Sequence, residues 1–182
     1  MFDHLDTPRL RLRRFERADL PALLAYRNDP EVARYQSWES FTEADGEAFI
    51  EAQSRSAPGQ PGLWFQFAIT VPPDRRLVGD CGLHVGDDGV AEIGFTLSRE
   101  GQGRGFGAEA VREVIRYAFR ELGMQRIQAI VDARNEAAIR LLRRVGLLEE
   151  KQLARWTWFK NARCIEQVFA IGQQEWPEIR QA

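Results

Sequence analysis

Alternating and helical spacings divide the chain into strands and helices. From Thr7 to Arg13, apolar Leu10 and Leu12 alternate with Arg9, Arg11 and Arg13, the two-residue period of a half-buried strand. Asp19 then reads as the N-cap of a short helix carrying Leu20, Leu23, Leu24 and Tyr26. That helix is expected to end near Asn28-Asp29-Pro30, where the proline discourages continuation. Thr42 and Asp45 have capping-box spacing, and Ala48, Phe49 and Ala52 give the next helix an apolar stripe. The connection between the helices, Arg34-Tyr35-Gln36-Ser37-Trp38, is rich in aromatics and lacks a clear period.

Ser54 to Gly62 holds glycine, proline and serine and predicts a loop. Leu63–Val71, Leu77–Val85 and Val90–Leu97 follow as strands joined by Pro72-Pro73-Asp74 and Asp87-Asp88-Gly89, an antiparallel meander. A glycine-rich turn leads into a long amphipathic helix with Val111, Val114, Ile115, Ala118, Phe119 and Leu122 at helical spacing, and Gly123 is its expected C-cap. Arg126–Val131 reads as a strand, Asn135–Val145 as a helix closed by Gly146, and Leu147–Ile171 as a final hairpin turning near Lys160-Asn161-Ala162. The order β-α-α-β-β-β-α-β-α-β-β predicts an α+β fold of about seven strands and four helices, neither a Rossmann alternation nor a sandwich. No repeat, low-complexity stretch or linker divides it, so a single domain over residues 1–182 is expected.

Composition narrows the function classes. A net charge of −2 gives no basic excess, so no nucleic-acid partner is expected. No apolar run is long enough to cross a bilayer, and Met1-Phe2-Asp3-His4 lacks the pattern of a secretory signal, so no membrane partner and a cytoplasmic location are expected. The two cysteines, Cys81 and Cys164, lie in separate strand-like stretches and read as buried thiols; no metal pattern is present. Arg134, Arg140, Arg143 and Arg144 cluster around one helix, either as a solvated face or as part of an anion site.

The turn carries the chemistry. Gly101, Gly103, Gly105 and Gly107 lie between a strand and a helix, where backbone N–H groups and a helix N-terminus converge on negative charge. Such a turn suits a diphosphate. A Walker A loop is excluded, because no Gly-Lys-Ser/Thr ends it. A dinucleotide fingerprint is a rival: Gly103 to Ala108 fits G-x-G-x-x-A, and Asp132 ends the next strand. The meander before the turn and the hairpin after it disfavour that reading. Coenzyme A is the third carrier.

Gln102-Gly103-Arg104-Gly105-Phe106-Gly107 fits the Q/R-x-x-G-x-G/A motif of the GCN5-related N-acetyltransferases (GNAT), and the element order resembles theirs. More narrowly, the chain is similar to the RimJ/RimL-like branch, the ribosomal-protein N-acetyltransferases and their relatives. Thr7-Pro8-Arg9-Leu10-Arg11-Leu12-Arg13, Ala91-Glu92-Ile93-Gly94-Phe95, Gly107-Ala108-Glu109-Ala110 and Asn135 before Ile139-Arg140-Leu141-Leu142 carry the similarity, with Val145-Gly146-Leu147 and Glu175-Trp176 completing it. It spans essentially the whole chain.

The resemblance implies a mixed, mostly antiparallel sheet with a central splayed parallel pair, Val90–Leu97 and Arg126–Val131. It implies acetyl-CoA as cofactor. The amides of Gln102, Gly103, Arg104, Gly105, Phe106, Gly107 and Ala108 would grip its diphosphate. The backbone near Leu97 would bond the pantetheine and polarise the thioester carbonyl, and Asn135 would contact the pantetheine arm while capping its helix. Arg104 and Arg140 are candidates for the adenosine phosphates. The implied activity is direct acetyl transfer to a primary amine, on a peptide, protein or small molecule, and is compatible with a homodimer. The resemblance makes Glu92 the candidate base, since family members often carry a base glutamate on this strand; alternation puts it on one face with Gly94 and Thr96, and Asp80 and Glu166 on neighbouring strands are alternatives. The chain departs from the family where a tyrosine acid often stands (Leu142), where the branch carries a serine (Ala138) and where an aromatic often follows Gly146 (Leu147). These departures leave open a non-catalytic acyl-CoA-binding module. Tyr35, Trp38 and Trp64 are candidate acceptor-cleft residues.

Overall fold

Two short strands, β1 (His4–Asp6) and β2 (Arg11–Arg13), replace the single strand expected over Thr7–Arg13 in the computed structural model, which describes residues 2–176. Met1, and residues 177–182 of the expected domain, lie outside the described residues. The break has a local cause. Thr7 N–H donates to the Leu10 carbonyl (2.9 Å) and Leu10 N–H to Thr7 Oγ1 (2.9 Å), so the sequence around Pro8 turns back on itself. Leu5 and Leu12 still face the core.

Asp19 is not the side-chain cap expected of it. Its carboxylate accepts from Glu16 N–H (2.7 Å) and pairs with buried Arg13 (2.7 Å), closing a 3-10 turn over Arg17–Asp19 ahead of helix α1 (Leu20–Arg27). Pro30 does more than end that helix. Asp29 caps a further turn, α2 (Pro30–Ala33), in which the proline takes the first position, where no N–H is needed. Thr42 and Asp45 form the expected capping box of α3 (Glu43–Arg55). Its inward face is Gly46, Phe49, Ile50 and Gln53, displaced from the expected stripe, and Ala48 and Ala52 are exposed.

The meander is β3 (Trp64–Val71), β4 (Arg76–Val85) and β5 (Val90–Leu97). Helix α4 (Phe106–Arg120) leads to β6 (Arg126–Asp132), α5 (Glu136–Arg144), a two-residue strand β7 (Leu148–Glu149) and the hairpin β8 (Arg155–Phe159) and β9 (Ala162–Gly172). The hairpin turns on Lys160 and Asn161, both at positive φ (47° and 57°). Among the described residues, nine strands form one sheet in the order β1-β2-β3-β4-β5-β6-β9-β7, with β8 also on β9. Strands β1 and β7 and the single turn α2 account for the excess over the sequence expectation: each is too short for a hydrophobic period to show.

β5–β6 is the parallel pair; the other pairings between strands are antiparallel. On one face of the sheet, Val111, Val114, Ile115, Ala118 and Phe119 of α4 pack with Leu142 of α5 on Phe65, Phe67, Leu83, Ile93, Ile127 and Phe169. Trp176 closes this core against Phe119, with ring centroids 6.1 Å apart. On the other face, Leu23, Tyr26, Val32 and Ile50 from α1 to α3 pack with Ala68 and Leu77. Cys81 and Cys164 are free and buried, as expected.

Candidate active site

The glycine-rich turn is built from both ends. Ser98 Oγ accepts from Gly101 N–H (3.2 Å) and closes a 3-10 turn over Arg99–Gly101 at the end of β5. Gln102 then folds its side chain back, Nε2 donating to the Leu97 carbonyl (3.1 Å). The chain enters α4 through Gly105, its N-cap, at φ 81°, a left-handed conformation that side chains resist. Beyond it, the N–H groups of Phe106, Gly107 and Ala108 have no intrahelical acceptor and lie at the positive end of the helix dipole. A Cβ at exposed Gly103 would meet no heavy atom of the described residues within 4 Å, so the turn is uncovered there. Gly107 serves packing: a Cβ there would sit 2.7 Å from Leu141 and 2.9 Å from Leu97, where α5, α4 and β5 meet. Open amides at a helix start are the donors a diphosphate requires, so the residues present fit that group.

An N-terminal strap holds the turn. Glu109 in the first turn of α4 accepts from the Thr7 hydroxyl (2.6 Å), the Arg9 amide (3.0 Å) and Arg9 Nε (2.7 Å). Arg9 Nη1 also donates to the Arg104 carbonyl (2.9 Å). Burial alone would raise the Glu109 carboxyl, but these donors together outweigh it and hold the group below the usual carboxylate range. Arg9 and Arg104 place their guanidinium carbons over the Phe106 ring, 5.0 and 4.9 Å from its centroid. A cleft of about 380 Å³ beside them is lined by Pro8, Arg9, Val71, Pro72, Arg104 and Phe106.

Beside the turn the sheet opens. β5 pairs with β6 only from Val90 to Glu92, against Arg126 to Gln128, while β6 stays on β9 through Asp132. The two strands therefore splay beyond Glu92. Side chains supply donors to the β5 carbonyls there: Gln36 Nε2 to Phe95 (3.4 Å) and Gln102 Nε2 to Leu97. At the far arm, Asn135 Oδ1 accepts from Ala138 N–H (3.1 Å), making Asn135 the α5 cap. Tyr35 Oη donates to the Arg134 carbonyl (3.1 Å), so Tyr35 and Gln36 straddle the two arms. Trp38 is turned away, its Nε1 donating to the Arg27 carbonyl (2.9 Å) with its ring against the Arg27 guanidinium.

Glu92 stands at the closed end of the splay, half-buried, opposite His84 on β4 and Gln128 on β6. Burial pushes its carboxyl above the usual range, against the hydrogen bond from Gln128 and the nearby His84. The alternatives are differently engaged. Asp80 is buried with Tyr26 and Arg27, and Glu166 is paired with Arg155 (2.8 Å). Ala138, Leu142 and Leu147 are all buried apolar positions, so none supplies a proton donor. The arginine cluster reads as a solvated face: Arg134, Arg140 and Arg143 pair with Asp132, Glu136 and Glu149. Arg140 is exposed on α5 beside Glu136, and Arg104 lies at the turn itself.

Gln36, His84 and Gln128 were not singled out by sequence. Gln36 lies in the aromatic-rich connection without a period, His84 and Gln128 are single polar residues within strands, and only strand register brings those two to Glu92. Ser37, Glu39, Trp158, Phe159, Lys160 and Asn161 line a second cleft of about 560 Å³ between the α2–α3 connection and the β8–β9 hairpin.

Comparison with known proteins places this geometry. Residues 9–148 match the acetyltransferase (GNAT) domain model. The chain is 33% identical to the uncharacterised N-acetyltransferase p20 of Bacillus licheniformis, over 94% of this chain and 97% of the relative. Among solved structures, a GNAT-family acetyltransferase from Bacillus anthracis superposes with a TM-score of 0.81 at 24% identity, over 94% of this chain and 99% of the other. A spermidine N-acetyltransferase from Vibrio cholerae, solved in complex with CoA and spermine, superposes at 0.79 with 21% identity, over 93% and 99%.

Proposed function

Because the chain belongs to the GNAT family of acetyltransferases, whose members use acetyl-CoA, we propose that it transfers acetyl from that donor directly to a primary amine. The observation that carries this reading is the open turn Gln102–Ala108 at the start of α4, set beside a splayed parallel pair. In it, the amides from Gly103 to Ala108 hold the diphosphate, Arg104 neutralises phosphate charge, and the splay takes the pantetheine arm. Gln102 acts differently from the other members of the motif, by pinning Leu97 at the lip of the splay. The β5 backbone near Leu97 orients the thioester carbonyl. Asn135 meets the pantetheine from the opposite arm.

An aliphatic amine is protonated near neutral pH and must lose a proton before it attacks. Glu92 is the acceptor of that proton, directly or through water. Its burial raises its basicity, the hydrogen bond from Gln128 holds its carboxylate, and His84 stands opposite it on β4. Attack forms the C–N bond and expels CoA as its thiolate. Thiols have a pKa of about 8.5, so this leaving group departs without the tyrosine that Leu142 replaces. The acceptor is a small-molecule amine or a protein N-terminus, the latter as in the RimJ/RimL-like branch, and the protein works as one domain in the cytoplasm. The amine of the Vibrio cholerae neighbour, a polyamine, supports the small-molecule arm.

Release of CoA thiol with acetyl-CoA and a panel of N-terminal peptides, polyamines and aminoglycosides tests this. Turnover with at least one class is expected; none across the panel overturns it. A second reading, a module that binds acyl-CoA without turnover, is favoured by buried Ala138 and Leu142 and would show as tight CoA binding without transfer. The dinucleotide alternative has lost its fold, since one parallel pair is no doubly wound sheet.

A further inference from the structure

Trp64 opens β3 with its indole 39% exposed, on the sheet face that carries Glu92. Register sets Trp64, His84, Glu92 and Gln128 in one row across β3, β4, β5 and β6. The indole leans along the sheet towards the splay. A Cβ built on Gly94 would touch its six-membered ring at 3.8 and 3.9 Å, and one on Gly82 would lie 3.0 Å from it. The ring therefore covers Gly94 and shares Gly82 with the Gln66 amide, whose Nε2 and Oε1 would lie 2.7 and 2.8 Å from the same Cβ. His84 backs the indole, with centroids 5.4 Å apart and planes at 40°. An aromatic ring, the Gln66 amide and, two strands along the same row beyond His84, a half-buried carboxylate thus share one face of the sheet around Gly94.

An aromatic face is the negative pole of a ring quadrupole, and a carboxylate beside it deepens the potential; together they suit a cation with an apolar tail. We infer that Trp64 is the acceptor platform, a specificity-determining residue that receives an alkylammonium group against its indole face with Glu92 alongside. This rests on the acetyl-transfer reading of the site and adds to it the charge and shape of the acceptor end: a protonated, unbranched primary amine. The same contact delivers the ammonium to the carboxylate that takes its proton, so recognition and deprotonation occur at one place. An aromatic acceptor amine, which is neutral near pH 7, gains little from such a platform.

Indole N–H resonances of the 15N-labelled protein saturated with CoA provide the test, because CoA lacks the acetyl group and no reaction occurs. The Trp64 resonance is the one of five that Trp64→Phe removes. n-Butylammonium chloride is expected to shift it saturably, with an affinity at least about fivefold above that of neutral 1-pentanol, as a cation–π contact of about 1 kcal/mol requires. Glu92→Gln is expected to weaken the ammonium response while leaving the pentanol response in place. An unmoved Trp64 resonance, or equal responses to ammonium and alcohol, would overturn the inference. Backbone amides of Gly103 to Ala108 in the same spectra report CoA. If they respond and Trp64 does not, the platform alone fails; if they are silent, the cofactor reading fails first.

Discussion

Arg9 Nη2 and the Glu109 carboxylate meet at 2.6 Å, joining the first loop of the chain to the first turn of α4. This pair, with Thr7, fixes the helix start whose amides form the cofactor cradle. Glu109→Ala removes an acceptor that serves three donors, and we expect it to lower stability by about 1–3 kcal/mol. It should also weaken acetyl-CoA binding, although it leaves the cradle amides chemically intact. Because the folded carboxyl is held below its ordinary value, its contribution is complete above about pH 4.3 and is lost as pH falls through the lowered folded value. Urea midpoints of wild type and Glu109→Ala should therefore converge in acid.

Two glycines of the turn should separate binding from stability. Gly107→Ala pushes a methyl into Leu141 and Leu97 and should destabilise the fold by about 1–3 kcal/mol through overpacking. Gly103→Ala meets no neighbour, and its φ of 71° costs only about 1–2 kcal/mol. Its methyl would stand on one of the residues whose amides are proposed to hold the diphosphate. The larger loss of acetyl-CoA affinity by calorimetry is expected for Gly103→Ala.

Glu92→Gln should lower kcat by about 10²-fold or more, the usual scale for a lost proton acceptor. In the wild type, kcat/KM should rise with pH through a group above the ordinary carboxylate range, and the variant should lose that limb. The stability sign is opposite. Burial favours the protonated form of Glu92, so its contribution is present at low pH and is lost as pH rises through the raised folded value. Glu92→Gln should therefore be more stable than wild type near neutral pH, by thermal melting, while being less active.

Asp80 lies across the sheet from Thr96 and is buried with Tyr26 and Arg27. Asp80→Ala leaves the Arg27 guanidinium buried without its carboxylate, among the rings of Trp38, Phe41 and Phe49. A loss of about 3–5 kcal/mol in the urea unfolding free energy is expected. Loss of activity with stability unchanged would instead restore Asp80 as a candidate base.

Much of the fold was legible because long elements advertise their period. The five apolar positions of α4 from Val111 to Phe119 and the alternation of β5 placed both elements, and Gln102–Ala108 marked the turn between them. Short elements were not legible. β1, β7 and α2 hold two to four residues each, less than a period needs. Asp19 looked like a cap because caps are local, but buried Arg13 pairs with it from an adjacent strand. The same holds at the site. Glu92 could be named from the family resemblance of its strand, whereas His84 and Gln128 become its neighbours only through a register that residue spacing does not encode.

The most direct measurement follows the acetyl group itself. Acetyl-CoA labelled with 13C in the acetyl carbons is incubated with the protein and an aliphatic primary amine, and label is traced by mass spectrometry in amine, protein and acetate. Direct transfer through Glu92 predicts label on the amine nitrogen in equal amount to CoA released, none on the protein, and a rate about 10²-fold lower in Glu92→Gln with acetyl-CoA affinity retained. Label remaining on CoA in a protein that binds it, or trapped on a protein side chain, would contradict it.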